Sequence, residues 1–220
     1  MTATGRPLRL GMVVVLALGL TACTVGGEPA PTDPVVQLGA PGQPNRTLTP
    51  EEVAGLEVPE HVDADVTFML DMIDHHSQAL VMTGYVKART DDRDIRLLAE
   101  RMEVSQEDEI DQMARWLQDR AQPLRENGHD GHGAGHEMPG MLTEEQLAKL
   151  EAAKGDAFDT LFLEYMIQHH EGALQMVKDL FATPRAGQEV DVNVFANDVV
   201  TVQTAEIGAM RQMLSQLPEK

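Results

Sequence analysis

The feature that most constrains the fold of this chain is an internal duplication. Residues 49–82 align with residues 143–176 at a constant shift of 94 without a gap, and fourteen of the 34 aligned positions are identical. A second block aligns at a shift of 97, from Ala99 with Ala196 to Leu117 with Leu214. The change of shift puts three extra residues in the second connection, around residues 183–187. The chain is therefore built from two copies of one structural unit.

Each copy is predicted to contain a short helix followed by a long helix, a turn and another long helix. The short helices begin at the capping boxes Thr49-Pro-Glu-Glu52 and Thr143-Glu-Glu-Gln146. Helical periodicity predicts the long helices at Asp63–Arg89, Asp94–Arg120, Asp156–Phe181 and Glu189–Leu217. Because each hairpin has one apolar stripe to bury, we expect an all-α fold, a four-helix bundle made of two duplicated helical hairpins.

The N-terminus has the pattern of an export signal. Arg6 and Arg9 precede a short apolar run at residues 10–20, which predicts a signal peptide over residues 1–22. Leu20-Thr21-Ala22-Cys23 resembles the bacterial lipobox, so Cys23 is the predicted lipidation site; the alternative is an ordinary signal peptide with an incidental cysteine. Residues 23–48 are rich in proline and predict a disordered tether. We expect the exported protein to be lipid-anchored at the outer face of the cytoplasmic membrane, or at the periplasmic face if an outer membrane exists.

The remaining residues, 49–220, are predicted to form the folded domain. Copy one spans 49–120, a crossover rich in His and Met spans 126–141, and copy two spans 143–217. Thirteen methionines and an aromatic content of only 4% suit a helical bundle better than a β-sandwich. The formal net charge of −19 argues against a nucleic-acid partner.

A Met-x-x-His-His motif occurs once in each copy. At about 100° per residue, Met72 and His76 lie on the apolar stripe of the first long helix, with His75 at the edge of that stripe. Met72 is three residues before His75 and four before His76, so its sulfur can lie beside either ring. The second copy repeats the motif with Met166, His169 and His170. A lone buried His is usually a core residue, but two adjacent pairs at matching positions predict a metal site.

The partner helices add matching residues on faces that are otherwise apolar. Met113 and Met210 are predicted to approach the metal as further ligands. Polar side chains on the same faces need buried partners, and carboxylates there are expected to orient the imidazoles; these residues are Gln106, Glu109, Gln203 and Glu206.

The position of the methionines favours copper over iron. Di-iron bundles normally use Glu-x-x-His, whereas here the residue three before His75 is Met72 and the residue three before His169 is Met166. Thioether and imidazole ligands favour Cu(I) over iron, magnesium or calcium. The copper prediction depends on this replacement in both copies.

The crossover contains a second candidate metal site. Three histidines and two methionines occur within 13 glycine-rich residues, and His-rich tracts of this kind bind soft or borderline ions; the alternative is a solvated loop with weak, nonspecific affinity. The candidate ligands are His129, His132, His136, Met138 and Met141.

These motifs resemble the domain of unknown function 305 family. The resemblance rests on Phe68-x-x-x-Met72-Ile-Asp-His75-His76 and its repeat from Phe162 to His170, on Gln106-x-x-Glu109-Ile-x-x-Met113, and on Met138-Pro-Gly-Met141. It implies a ferritin-like bundle and, for members of the CopM type, periplasmic or surface copper binding linked to copper resistance. The copies differ at Ser77-Gln78 against Glu171-Gly172, so the halves need not bind metal equally.

The leading hypothesis is a lipid-anchored protein, not an enzyme, that sequesters or relays copper as Cu(I), with Cu(II) and Ag(I) as further candidates. A copper-exchange protein or a second copy of the chain is the candidate protein partner. Two alternatives remain open at this point. One is a ferritin-like iron or manganese oxidase that uses Glu109, Glu206 and the four histidines, and the other is a metal-free helical adaptor.

Overall fold

The computed structural model describes residues 35–37, 43–56, 59–125 and 138–218. The chain divides into two compact units, one ending at Leu56 and the other beginning at Glu57. The signal peptide, Cys23 and the crossover histidines lie outside the described residues. Among the described helices, none is both long enough and apolar enough to cross a membrane.

The first unit contains a pair of two-residue strands and a short helix. Strand β1 (Val36–Gln37) pairs antiparallel with β2 (Arg46–Thr47). Helix α1 (Pro50–Ala54) begins with a capping box in which Thr49 and Glu52 exchange backbone and side-chain hydrogen bonds, as the sequence predicts. The strands lie within the segment predicted to be a tether, where the sequence pattern did not indicate them.

The second unit consists of four long helices and one short one. The long helices are α2 (Asp63–Arg89), α3 (Arg93–Asp119), α5 (Asp156–Ala182) and α6 (Val190–Leu214). The short helix α4 (Glu144–Ala152) precedes α5 and is capped by Thr143. The four predicted long helices are confirmed. The largest difference is at the C-terminus of α6, where residues 215–217 form a turn and a bend rather than helix.

Hydrogen bonds between the two hairpins fix how they pack. Asp65, near the start of α2, accepts the backbone N–H of Gly187 in the α5–α6 connection at 2.7 Å. Glu189 caps α6 by accepting from Val192 N–H, and it also accepts from Trp116 near the end of α3. Because each bond joins the start of one helix to the end of another, α2 runs antiparallel to α5 and α3 runs antiparallel to α6.

The core of the bundle consists of two apolar clusters. One contains Met72, Met113 and Phe195, from the N-terminal halves of α2 and α6 and the C-terminal halves of α3 and α5. The other, from the opposite halves, contains Met166 and Met210. Between them lies a set of polar side chains that we call the central polar layer: His75, His76, Gln106, Glu109, His169, His170, Gln203 and Glu206.

The two copies differ at the residues that hold the end of the crossover. Gln78 Nε2 donates to Leu142 O at 3.0 Å, and Gln78 Oε1 accepts from Leu142 N–H at 2.7 Å. Its counterpart Gly172 has no side chain, and the turn at Pro139 and Gly140 packs directly against its backbone. A Cβ atom on Gly172 would lie 2.6 Å from the Gly140 Cα and still closer to the Pro139 carbonyl. Gln78 thus binds the end of the crossover, and Gly172 leaves room for it. This difference between the copies places the end of the crossover between α2 and α5.

We expect Gly172→Ala to destabilise the protein by about 1–3 kcal/mol, because the added methyl group overpacks a backbone contact that cannot yield easily. Gly84→Ala is the matched control, since a Cβ on this α2 glycine meets no atom within 4 Å. Alanine there should stabilise the helix by up to about 1 kcal/mol. Urea denaturation measures the change in the free energy of unfolding of each variant. Equal changes in the two variants would contradict the close packing of the turn against Gly172.

Candidate metal centre

The four histidines of the Met-x-x-His-His motifs lie at the middle of α2 and α5 and are completely buried. The rings of His75 and His169, one from each copy, are 3.7 Å apart between centroids, with an angle of 36° between their planes. His76 and His170 lie farther from their neighbours, with centroids 6.5 Å from His75 and 6.2 Å from His169 respectively. The duplication therefore brings the two motifs together at the centre of one bundle.

Every one of these imidazoles uses its Nε2 atom in a hydrogen bond. His76 Nε2 lies 2.6 Å from Glu109 Oε2, and His170 Nε2 lies 2.7 Å from Glu206 Oε2. The other two rings contact backbone carbonyl oxygens: His75 Nε2 lies 3.1 Å from Pro139 O, and His169 Nε2 lies 2.9 Å from His75 O. Carboxylate and carbonyl oxygens accept hydrogen bonds, so each Nε2 carries the proton and donates it.

All four Nδ1 atoms, in contrast, are buried and have no hydrogen-bond partner. In a neutral imidazole whose Nε2 is protonated, Nδ1 holds a lone pair. An unpartnered buried polar atom costs about 1–3 kcal/mol, and native proteins contain few of them. Four such atoms lie in this one buried layer.

Burial keeps two of the rings neutral. Together with the smaller effect of the neighbouring His76, it lowers the pKa of His75 from the usual 6.5 to about 3, against the opposing effect of the Pro139 carbonyl. Burial also lowers the pKa of His169 well below its usual value, with further contributions from His75 and His170. Both rings therefore keep their Nδ1 lone pairs at neutral and mildly acidic pH.

The proposed methionine ligands are also fully buried and lie on either side of the histidines. Met72 and Met113, from α2 and α3, belong to one apolar cluster. Met166 and Met210, from α5 and α6, belong to the other. Each hairpin thus places two thioethers in the apolar region that borders the central polar layer.

The glutamines of the central polar layer differ from its glutamates. Both amide atoms of Gln106 are buried without a hydrogen-bond partner, and so is Oε1 of Gln203. These amide atoms therefore do not hold an imidazole in place. Glu109 and Glu206, with side chains 17% exposed, do contact the imidazoles and lie at the edge of the layer.

The crossover site is described only in part. His129, His132 and His136 lie outside the described residues. Met138 is buried and Met141 is partly buried at the base of the crossover, where both pack on the first apolar cluster. Within residues 35–37, 43–56, 59–125 and 138–218, no three His, Cys, Asp or Glu side chains are grouped so that they could hold a metal ion by themselves.

Sequence reasoning missed two groups that orient the central rings. The carbonyl of Pro139 holds His75, and the carbonyl of His75 itself holds His169. Every residue has a backbone carbonyl, so a sequence pattern does not indicate which carbonyl accepts a hydrogen bond from a side chain. The Met138-Pro-Gly-Met141 segment was recognised as a motif, but its contact with His75 depends on how the crossover packs between the helices.

Comparisons with known proteins agree with this architecture. A profile of a domain of unknown function (DUF305) matches residues 65–214. A DUF305 fragment from Deinococcus radiodurans is 30% identical, with a TM-score of 0.62 over 72% of this chain and 100% of that one. A DUF305 protein from Streptomyces coelicolor that is described as secreted is also 30% identical, with a TM-score of 0.60 over 71% of this chain and 96% of that one.

A third similar structure is CopM in its Cu(II)-bound form. It is 28% identical and has a TM-score of 0.55 over 69% of this chain and 95% of that one. The curated proteins provide no significant match. The profile match covers both helical hairpins and both histidine pairs, so the chain belongs to the DUF305 family.

Proposed function

We propose that this protein binds copper as Cu(I) in the central polar layer and sequesters or relays it outside the cytoplasm. The observation that carries the proposal is the set of four buried imidazoles whose Nε2–H groups are all engaged and whose Nδ1 atoms are all free. In this arrangement Nδ1 is the nitrogen of each imidazole that remains available to a metal ion.

Thioethers complete a ligand set that favours Cu(I). Because no three His, Cys, Asp or Glu side chains of the described residues form a metal site alone, a metal at these histidines needs ligands of another type. Met72 and Met166 lie one helical turn before the histidine pairs, with Met113 and Met210 on the partner helices. Soft thioethers and imidazoles suit Cu(I), whereas iron and magnesium prefer oxygen ligands.

Charge balance supports a monovalent ion. Burying an ion without compensating charge is costly, and the cost rises steeply with the charge. Thioethers and imidazoles coordinate a metal as neutral ligands, so a Cu(I) ion bound by them adds a single positive charge to the layer. Glu109 and Glu206 each lie one imidazole away from the ligand atoms and can compensate one such charge in each half.

The same contacts weigh against an iron or manganese oxidase. That function would require Glu109 and Glu206 as metal ligands, but both carboxylates accept hydrogen bonds from Nε2, on the side of the imidazole remote from Nδ1. We therefore propose a binding protein rather than an enzyme.

Export and lipid anchoring form part of the proposal. The signal-like N-terminus and Cys23 in a lipobox-like context support them, as does the similarity to a family member described as secreted. Copper-bound CopM supports a role in copper homeostasis. A neutral thioether needs no deprotonation and forms no disulfide, so the ligand set suits an oxidising compartment.

Anaerobic titration of the purified protein with Cu(I), in competition with a chromogenic chelator, tests this proposal. We expect His76→Ala/His170→Ala to weaken Cu(I) binding by about 100-fold or more, because it removes one Nδ1 ligand from each half. His61→Ala is the matched control, since His61 lies beside Trp116, outside the central polar layer, and its loss should leave the affinity unchanged.

The other outcomes of this titration are informative. Unchanged tight binding in the double variant would move the copper site to the crossover. Absence of Cu(I) binding in both proteins would contradict the proposal and favour a metal-free adaptor. Iron that stays bound through purification, detected by metal analysis, would favour the oxidase.

The neutral state of the buried rings predicts how acid affects the metal-free protein. The unfolded chain binds a proton at His75 below pH 6.5, whereas the folded protein does so only near pH 3. Stability therefore falls as the pH drops below 6.5, and His75 alone should account for about 2 kcal/mol between pH 7 and pH 5. The side chain of His75→Gln cannot titrate, so urea denaturation at both pH values should show a smaller loss of stability in this variant than in the wild type. An equal loss would contradict the lowered pKa of His75.

A further inference from the structure

A cavity of about 310 Å³ lies on one side of the bundle, outside the central polar layer. It runs between the N-terminal half of α2 and the C-terminal half of α5, and the base of the crossover forms part of its wall. Its lining combines apolar, hydroxyl and carboxylate groups, among them Phe68, Asp71, Met138, Pro139, Met176 and Asp179.

Two methionines of this cavity are at the boundary between core and solvent. Met138 is 7% exposed and Met176 is 8% exposed, whereas Met72 and Met166 are 0% exposed. Both belong to the apolar cluster that also contains Met72 and Met113. The two cavity methionines and two of the proposed copper ligands therefore lie in the same apolar cluster.

The duplication shows that the small and polar residues of this cavity wall are not repeated in the second copy. The counterparts of Ala64, Thr67 and Asp71, at a shift of 94, are Phe158, Leu161 and Tyr165. On that side large apolar side chains fill the space, and Leu147 and Leu150 of α4 pack on the same cluster. The counterpart of Met176 is Met82, which is fully buried.

The cavity wall contacts the histidine site directly. Pro139, which lines the cavity, accepts the Nε2–H of His75 through its carbonyl oxygen at 3.1 Å. The cavity and the nearest imidazole are therefore separated by a single residue of the crossover.

The carboxylates of the cavity are not equivalent. Asp71 shares the guanidinium group of Arg125 with Asp74, at 2.7 and 2.6 Å respectively. Asp179 is exposed, and its carboxylate accepts a hydrogen bond from the amide of Gln175 at 2.7 Å. Because the amide is neutral, this bond does not compensate the negative charge of Asp179. The carboxylate of Asp179 thus lines the same cavity as the two thioethers, a combination that attracts a soft cation.

We propose that this cavity is a capture site for Cu(I), in which Met138 and Met176 bind the ion before it passes to the buried imidazoles. The proposal rests on the proposed function and names the route by which copper reaches that site. The transfer is a ligand exchange: Cu(I)–thioether bonds in the cavity are replaced by bonds to Met72 sulfur and imidazole Nδ1. Copper keeps its oxidation state, and neither a proton nor an electron is transferred.

Stopped-flow transfer of Cu(I) from a chromogenic chelator to the purified protein tests the proposal. We expect Met138→Leu/Met176→Leu to slow the uptake of Cu(I) by about tenfold. Met82→Leu is the matched control, because Met82 is the counterpart of Met176 on the closed side. It should take up copper at the wild-type rate.

An uptake rate in the double variant equal to that of the wild type would overturn the capture site while leaving the proposed function intact. Equal slowing by Met82→Leu would overturn it as well, since the effect would then be one of packing. A wild-type protein that binds no copper would instead contradict the proposed function, and the capture site with it.

A second measurement does not depend on how the double variant folds. In His76→Ala/His170→Ala protein labelled at the methionine methyl groups, Ag(I) serves as the probe for Cu(I). NMR should show shifts of the Met138 and Met176 methyl signals, because the cavity retains its thioethers when the buried site is impaired. Shifts confined to other methionines, or absent altogether, would overturn the proposal.

Discussion

The hydrogen bonds made by the Nε2 atoms of four buried imidazoles determine what the centre of this bundle can do. Each proton on Nε2 is held by an oxygen acceptor, two of them carboxylates and two of them backbone carbonyls. These bonds fix the tautomer and leave Nδ1 bare. They also fix the rings in position, because a rotation that satisfied Nδ1 would break a bond made by Nε2. The unpaired Nδ1 atoms lower the stability of the folded protein, and a bound metal ion would offset this loss of stability.

The duplication makes the histidine site symmetric, and small differences between the two copies make its surroundings asymmetric. The matching positions of the two Met-x-x-His-His motifs put two rings 3.7 Å apart at the centre of the bundle. Gln78 and Gly172 occupy equivalent positions, yet one binds the end of the crossover with its side chain and the other admits it by having none. The base of the crossover thereby reaches His75 from one side only. On this side the cavity remains open, whereas its counterpart is filled by aromatic and aliphatic side chains.

Much of the fold followed from sequence, because helical periodicity, capping residues and the repeat all point to one arrangement. The long helices were predicted to within three residues at each end, and the histidines were correctly placed on buried faces. The parts that could not be predicted depend on contacts between distant segments. The acceptors of His75 and His169 are backbone carbonyls, which every residue has, and the failure of Gln106 to find a partner depends on side-chain geometry. The position of Met176 in the cavity wall could not be predicted either, since its counterpart Met82 is fully buried in the core.

The central claim is that copper binds to Nδ1 of imidazoles whose Nε2 atoms stay protonated. Long-range proton–nitrogen NMR of protein labelled with ¹⁵N at histidine, recorded before and after anaerobic addition of Cu(I), tests it most directly. The account predicts bare Nδ1 and protonated Nε2 signals for His75, His76, His169 and His170 in the metal-free protein. Cu(I) should then shift the Nδ1 signals and leave the Nε2–H groups in place. Shifts at Nε2 with loss of its proton, or no change at any of these nitrogens, would contradict the account.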